Sequence, residues 1–268
     1  MVKQAREDGR NPSEFVTAVE RGFAVLAAFG RGPTRMTLTQ VAEATNLTRG
    51  TARRFLLTLQ TLRYVGSDGK LFWLTPKVMQ FSGAYLASNG IAEAARPIIR
   101  QLTEAVGESS SVAVLDGLDV VYVARVETRR IFSSGLDVGS RLPAYCSSLG
   151  RALLAGMSDD ELEAYFQNAP FEQRTPKTLV TREQLAVRLK DVRRQNYAII
   201  DGEVELGVRS VAVPVRAGDG KTIAAVNVGT SAARVSLEQL KKNILPQLRE
   251  AAAAIEANIR TWALHQIV

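Results

Sequence analysis

Residues 36–65 read MTLTQVAEATNLTRGTARRFLLTLQTLRYV, and the interpretation of this stretch decides the fold of the N-terminal third. Thr37 with Gln40 three residues on has the form of a capping box, each side chain satisfying a backbone N–H at the start of a helix. Leu38, Val41 and Ala42 then mark one apolar face. Thr45-Asn46-Leu47 interrupts the pattern, and Asn tolerates the left-handed backbone of a tight inter-helix turn. Thr48 caps a second helix, in which Ala52, Phe55, Leu56 and Leu59 stand at i, i+3, i+4 and i+7 and form a buried stripe. Gly50, Arg53, Arg54 and Leu57 fall on the opposite side, flanked by Arg49 and Thr51. No Asp or Glu occurs between Glu43 and Asp68, whereas four Arg do. A helix with Arg and small polar groups at its N-terminal end, free of acids, suits a phosphate-lined major groove.

Directly after it, Tyr64-Val65 and Leu71-Phe72-Trp73-Leu74 flank Ser67-Asp68-Gly69-Lys70. Asp-Gly between apolar runs predicts a hairpin closed by a type I′ turn, with positive φ at both central residues. Helix, helix and hairpin together make a winged helix-turn-helix. Its candidate DNA-contacting residues are Thr37, Thr48, Arg49, Gly50, Thr51, Arg53, Arg54 and, on the wing, Lys70. The competing interpretation is an amphipathic helical hairpin with a solvated basic face. The wing and the acid-free gap favour double-stranded DNA.

Working outward, the 268 residues are enough for two domains, and 46% hydrophobic with 23% charged residues is a globular composition. The net charge of +7 is unevenly placed. Residues 1–75 carry 11 Lys and Arg against 6 Asp and Glu, and the remainder 23 against 21, so the excess sits with the basic reader. One cysteine, Cys146, and one histidine, His265, exclude an internal disulfide and a Cys/His zinc site. No cofactor is expected. No apolar signal core and no run near ~18 apolar residues occurs, which points to a cytoplasmic protein without a membrane span.

In chain order, residues 1–12 are expected to be a disordered lead-in. Ser13 opens a support helix with Phe15, Val19, Phe23 and Leu26 on its apolar face, ending at Gly30-Arg31-Gly32-Pro33. Thr75-Pro76 starts a linker helix, with Pro in the favoured first turn. Its apolar groups lie on more than one side, Val78 to Leu86 serving as a dimer contact. Ile91 to Val106 is an amphipathic helix stopped by Gly107. Ser111–Leu115 and Val120–Arg125 form a hairpin across Asp116–Asp119. Ile131–Leu136 and Arg141–Ala144 are strand or loop; Leu149–Met157, Asp159–Phe166 and Arg182–Gln195 are helical. Val208–Arg216 and Thr222–Thr230 form a second hairpin, and Ser236 opens a last helix reaching about Trp262. Hairpins interspersed with helices predict an α+β domain, an antiparallel sheet flanked by helices. The boundaries are 13–75 for the reader, 76–90 for the linker and 91–268 for the second domain.

Two stretches of the second half stand out. In Arg141-Leu-Pro-Ala-Tyr-Cys-Ser-Ser-Leu-Gly-Arg-Ala-Leu-Leu-Ala155, a loop rich in hydroxyls runs into a helix near Leu149-Gly150. The free N–H groups of a helix N-terminus suit an anion. In Asn196-Tyr-Ala-Ile-Ile-Asp-Gly-Glu-Val-Glu-Leu-Gly-Val-Arg-Ser-Val-Ala-Val-Pro214, Asp201, Glu203, Glu205, Arg209 and Ser210 gather at the start of a strand. Arg151 and Arg209 are ligand clamps or salt-bridge partners of Glu203 or Glu205. Cys146 is a packed residue rather than a sensor thiol, and Arg188, Lys190, Arg193 and Arg194 form a solvated helix face.

With these segments the chain resembles the IclR-type transcriptional regulators over nearly its whole length, from Phe15 to the last helix. The wording RLPAYCSSLGRALLA is most similar to the Pca/Pob subgroup, regulators of aromatic-acid catabolism through the β-ketoadipate route. The resemblance implies a winged helix-turn-helix, a linker helix and a GAF-like effector domain, in dimers often paired into tetramers, and leans toward activation. It also implies an effector such as protocatechuate, 4-hydroxybenzoate or β-ketoadipate. Its pocket carries over onto Tyr145, Cys146, Ser147, Ser148, Leu149 and Gly150, onto Asp201, Arg209 and Ser210 of the next strand, and onto Asn227 and Gly229 of the one after. Where Asn227 and Gly229 stand, other members carry Ser.

The function expected is therefore a DNA-binding regulator responsive to a small aromatic or dicarboxylic acid. The alternative is an enzyme acting on a small carboxylic acid, with the basic N-terminal domain targeting it. Against an enzyme, no GxSxG elbow, GxGxxG or Walker loop occurs, and the one histidine lies at the C-terminal end, where chains fray.

Overall fold

The computed structural model describes residues 14–30, 32–128 and 135–265, so the expected lead-in over 1–12 and most of the strand or loop expected over 131–136 lie outside the described residues. The chain divides into two compact units, Met1–Ala84 and Tyr85–Val268.

In the first unit, α1 (Thr17–Ala28), α2 (Leu38–Thr45) and α3 (Arg49–Thr61) pack around Val25, Phe29, Val41, Leu56 and Leu59. The capping box forms as its residues dictate: Thr37 N–H donates to Gln40 Oε1 at 2.8 Å and Gln40 N–H to Thr37 Oγ1 at 3.3 Å. Asn46 ends α2 with φ of 51°, the left-handed turn its side chain tolerates. Thr48 caps α3 by accepting from Thr51 N–H. The hairpin pairs β2 (Val65–Ser67) with β3 (Leu71–Leu74), and a two-residue strand β1 (Met36–Thr37) joins on the other side of β3.

Two local expectations change here. The wing turn is not type I′, because only Gly69, at φ of +94°, is left-handed, while Asp68 Oδ1 accepts the N–H groups of Lys70 and Leu71. The aspartate side chain closes the turn that a second positive φ would otherwise have closed. In α1, the face that packs carries Val25 and Ala28, whereas Val19 and Phe23 are 55% and 59% exposed. The stripe Val19–Phe23 is apolar without being core.

In the second unit, six antiparallel strands run in the order β6-β5-β4-β9-β8-β7. They are β4 (Ser109–Asp116), β5 (Asp119–Val126), β6 (Arg141–Pro143), β7 (Ala198–Asp201), β8 (Val208–Arg216) and β9 (Thr222–Ser231). Because side chains alternate across a strand, each strand serves two layers. Val211, Val213, Val215, Val226 and Val228 face a core shared with α5 (Ile91–Val106) and α10 (Leu245–His265). Ala113, Tyr122, Ala212 and Ala225 face the other core, shared with α6 (Ser148–Leu154), α7 (Asp159–Asn168) and α8 (Arg182–Gln195). α4 (Met79–Asn89) precedes α5, and α9 (Leu237–Gln239) passes through a π turn (Leu240–Ile244) into α10. Asp201 belongs to a strand of its own, β7, rather than to the start of β8. Gly202 at φ +77° and Gly207 at φ +82° make the turn that separates the two.

A reader helix and a polar sheet floor

Arg49, Gly50, Arg53 and Arg54 lie on the exposed side of α3, and none of the three guanidinium groups is hydrogen-bonded or ion-paired among the described residues. Nothing comes within 4 Å of a Cβ built on Gly50. Thr51 is committed to the cap, its hydroxyl 2.9 Å from that of Thr48. Thr37 is likewise held by Gln40, and Lys70 stands exposed at the wing tip. One pair was not foreseen: Arg35 lies 4.4 Å over the Trp73 ring. A Cβ on Gly66 would lie 2.6 Å from that indole, so glycine lets the ring lie flat on β2. The signal was present in sequence as Gly66 opposite Trp73, but only register brings them together.

In the second unit, α6 sits over β8 and β9, and Ser148 Oγ is 2.8 Å from Ser210 Oγ. Asn227, cross-strand from Ala212, and Gly229, cross-strand from Ser210, share that face. The same face continues onto β4 through Ser111, which pairs with Asn227. A bulge then decides the next strand. Val112 pairs with Ala124 and Ala113 with Tyr122, leaving Val123 as an extra residue on β5. The extra residue reverses the alternation, so Arg125 comes round beside Ser111, donating from Nη1 to its hydroxyl at 3.1 Å. Arg125 also donates to Glu127 from Nε and Nη2 at 3.0 and 2.8 Å, and its side chain is 9% exposed. Sequence periodicity gives no sign of Arg125, because the bulge is a property of the strand pairing.

The floor thus comprises Arg125, Ser111, Asn227 and Ser210 on adjacent strands, with Ser148 above. Asn227 is 7% exposed, and its Oδ1 is buried without a hydrogen-bond partner among the described residues. A buried polar atom left unsatisfied costs about 1–3 kcal/mol, so such atoms concentrate where a ligand or water completes them. Gly229 adds space, since a Cβ there would meet nothing within 4 Å.

Other predicted pocket residues are placed differently. Asp201 and Arg209 lie on the opposite face of the sheet from Ser210, because residues 209 and 210 are neighbours on a strand of period two. There Arg209 donates to Asp201 from Nε and Nη2 at 3.0 and 2.9 Å and holds its carboxyl below the usual carboxylate range. Ser147 caps α6 by accepting from Gly150 N–H at 3.1 Å. Gly150 itself is a packing position: a Cβ would lie 2.2 Å from the carbonyl oxygen of Ala144. Tyr145, Cys146 and Leu149 are buried, and Tyr145 Oη donates to the carbonyl of Glu172 at 2.6 Å. Burial pushes the Cys146 thiol up to about 11. Arg151 is a structural ion pair, donating from Nη1 to Glu203 at 2.8 Å and from Nε to the Tyr145 carbonyl at 2.9 Å. Among the described residues no group of His, Cys, Asp and Glu forms a metal site, and no helix is long and apolar enough to cross a membrane.

A winged helix joined to a helix-covered antiparallel sheet defines a DNA-binding transcriptional regulator with a sensing domain. Comparison gives the family. The IclR helix-turn-helix domain matches residues 18–69, and the bacterial transcriptional regulator IclR C-terminal domain matches residues 83–257. The chain belongs to the IclR family. It is 40% identical to the Pca regulon regulatory protein of Pseudomonas putida over 240 residues, 89% of this chain and 82% of that one. The crystal structure of a transcriptional regulator from Rhodococcus sp. RHA1 superposes with a TM-score of 0.81 at 46% identity, covering 92% of this chain and 99% of that one. The inducer-binding domain of a PobR double mutant from Acinetobacter, in complex with 3-hydroxybenzoic acid, matches with a TM-score of 0.59 at 31% identity, covering 62% of this chain and 97% of that one. The relatives are regulators of Pca and Pob type, and the enzyme reading is set aside on that ground.

Proposed function

We propose that this regulator binds its operator as a dimer or a pair of dimers in the cytoplasm, and that a small aromatic or dicarboxylic acid held on the polar floor controls it. In this division residues 13–75 read DNA, 76–90 link, and 91–268 bind effector. The observation that carries the effector class is Asn227 Oδ1, buried and unsatisfied among the described residues, on the sheet face where its cross-strand neighbour Ser111 accepts from Arg125. A carboxylate accepts charge-assisted hydrogen bonds from Arg125, Ser111 and Ser148. A ring hydroxyl donates to Asn227 Oδ1, which a simple apolar acid leaves unpaired. The 3-hydroxybenzoic acid bound by the PobR inducer-binding domain has both groups. For the dimer, the support is the first unit, where Val16 at the N-cap of α1, Val19 and Phe23 within it, and Met79 and Phe81 on α4 are all at least 50% exposed. So many large apolar groups left exposed in one unit support an interface.

Titration of 3-hydroxybenzoate, protocatechuate and adipate into wild-type and Ser148→Asp protein by calorimetry tests this reading. The introduced charge should repel both aromatic acids, and adipate from the floor, while gel shift on the operator persists. Unchanged aromatic-acid affinity in Ser148→Asp would remove the ligand from this floor. Sedimentation should show a dimer that Phe23→Asp with Phe81→Asp converts to monomer.

A further inference from the structure

A recess of about 390 Å³ lies in the second unit where the edge strand β7 meets α8, the π turn and the loop before α8. Its rim carries Lys177, Arg188 and Lys241, and its apolar wall includes Leu179, Ile199 and Leu237. Three carboxylates also line it, and each is already taken. Glu203 is held by both Nη groups of Arg151, Asp201 by Nε and Nη2 of Arg209, and Asp191 by Arg194. Lys177 Nζ reaches Asp201 only at 3.8 Å. The Arg188 and Lys241 side chains make no ion pair or hydrogen bond among the described residues. Three cations around a concave, partly apolar surface are therefore left without full counter-charges. The helices do not require this arrangement: Arg188 sits on a solvated turn of α8, while Lys241 lies inside the π turn, a helix irregularity that concentrates at functional sites.

We infer that this recess is a second small-molecule site, distinct from the polar floor, for an organic dianion with a short apolar body. Two charges match Arg188 and Lys241, with Lys177 closing the third side, and the apolar wall selects a carbon skeleton over inorganic phosphate. Arg151 ties the recess to the signature segment. Its guanidinium lines the recess through Glu203, and its Nε holds the carbonyl of Tyr145, three residues before the Ser148 that touches Ser210. Occupancy therefore bears on α6, and by reciprocity any effect on the floor ligand returns with equal magnitude.

The experiment uses adipate as the probe, with the full chain, in calorimetry at low ionic strength. Asn227→Leu fills the polar floor and leaves the recess intact. Arg188→Gln with Lys241→Gln removes two exposed charges from the recess and leaves the floor intact, with melting temperature confirming the fold. Adipate should bind Asn227→Leu protein, and adding the two Gln substitutions should weaken that binding at least tenfold. Inorganic phosphate should bind more weakly than adipate. The inference is overturned if Asn227→Leu binds no adipate, if the Gln substitutions leave its affinity unchanged, or if phosphate binds more tightly.

Discussion

Gly150→Ala isolates the physical role of the signature segment. The added methyl would lie 2.2 Å from the Ala144 carbonyl oxygen and 2.3 Å from its Cα. Ordinary carbon contacts are about 3.5 Å or more, so α6 and the turn at Ala144–Cys146 must part by roughly 1 Å. Neither side yields easily, because all of these residues are buried and the obstruction is backbone. Overpacking of this kind costs about 3 kcal/mol at the upper end of its range. Stretching the Arg151 Nε bond to the Tyr145 carbonyl adds about 1 kcal/mol, and the better helix propensity of alanine returns about as much. The net loss is about 3 kcal/mol, which for a unit of this size is a fall of roughly 6–12 °C in melting temperature. Gly229→Ala is the control, since a Cβ there meets nothing within 4 Å and its φ is not positive. It should melt within about 1 °C of wild type yet weaken effector binding, because the methyl occupies space assigned to the ligand. Differential scanning calorimetry with and without 3-hydroxybenzoate reads both. A Gly150→Ala protein melting like wild type refutes the packing argument, and a Gly229→Ala protein with wild-type affinity refutes the assignment of that space.

Arg125→Gln removes a charge-assisted bond to the effector carboxylate, worth about 1.5–3 kcal/mol, and should weaken effector binding roughly 10–100-fold while operator binding is retained; equal affinities by calorimetry would count against it. Replacing Arg49, Arg53 and Arg54 by Ala should abolish the operator gel shift and reduce the salt dependence of residual binding without changing the melting temperature, since none of the three guanidinium groups is paired among the described residues. Normal operator binding by that variant would dismiss α3 as the reader. Cys146, with its thiol pushed up to about 11 by burial, is neutral at pH 8. Native protein should therefore react with iodoacetamide far more slowly than unfolded protein, and comparable rates would contradict the burial.

The sequence by itself determined whatever depends on near neighbours along the chain. Thr37 with Gln40, Asn46 and Thr48 punctuate the reader because caps and left-handed turns are satisfied within four residues. The apolar periods of α3 and α5, and the hairpins β4–β5 and β8–β9, were legible for the same reason. Tertiary structure decided what depends on pairing and on faces. The α1 stripe Val19–Phe23 was apolar enough to pass for core, yet Val25 and Ala28 took that place, because a helical period states that a face exists and not where it points. The pocket list followed the same division. Arg209 and Ser210 are adjacent in sequence but lie on opposite sides of the sheet. Arg125 turned toward the floor through one extra residue, Val123, whose presence is defined only against the partner strand. The polar floor and the cationic recess are assembled from strands and helices far apart in the chain, from Ser111 to Gly229 for the floor, so no local pattern could have announced either.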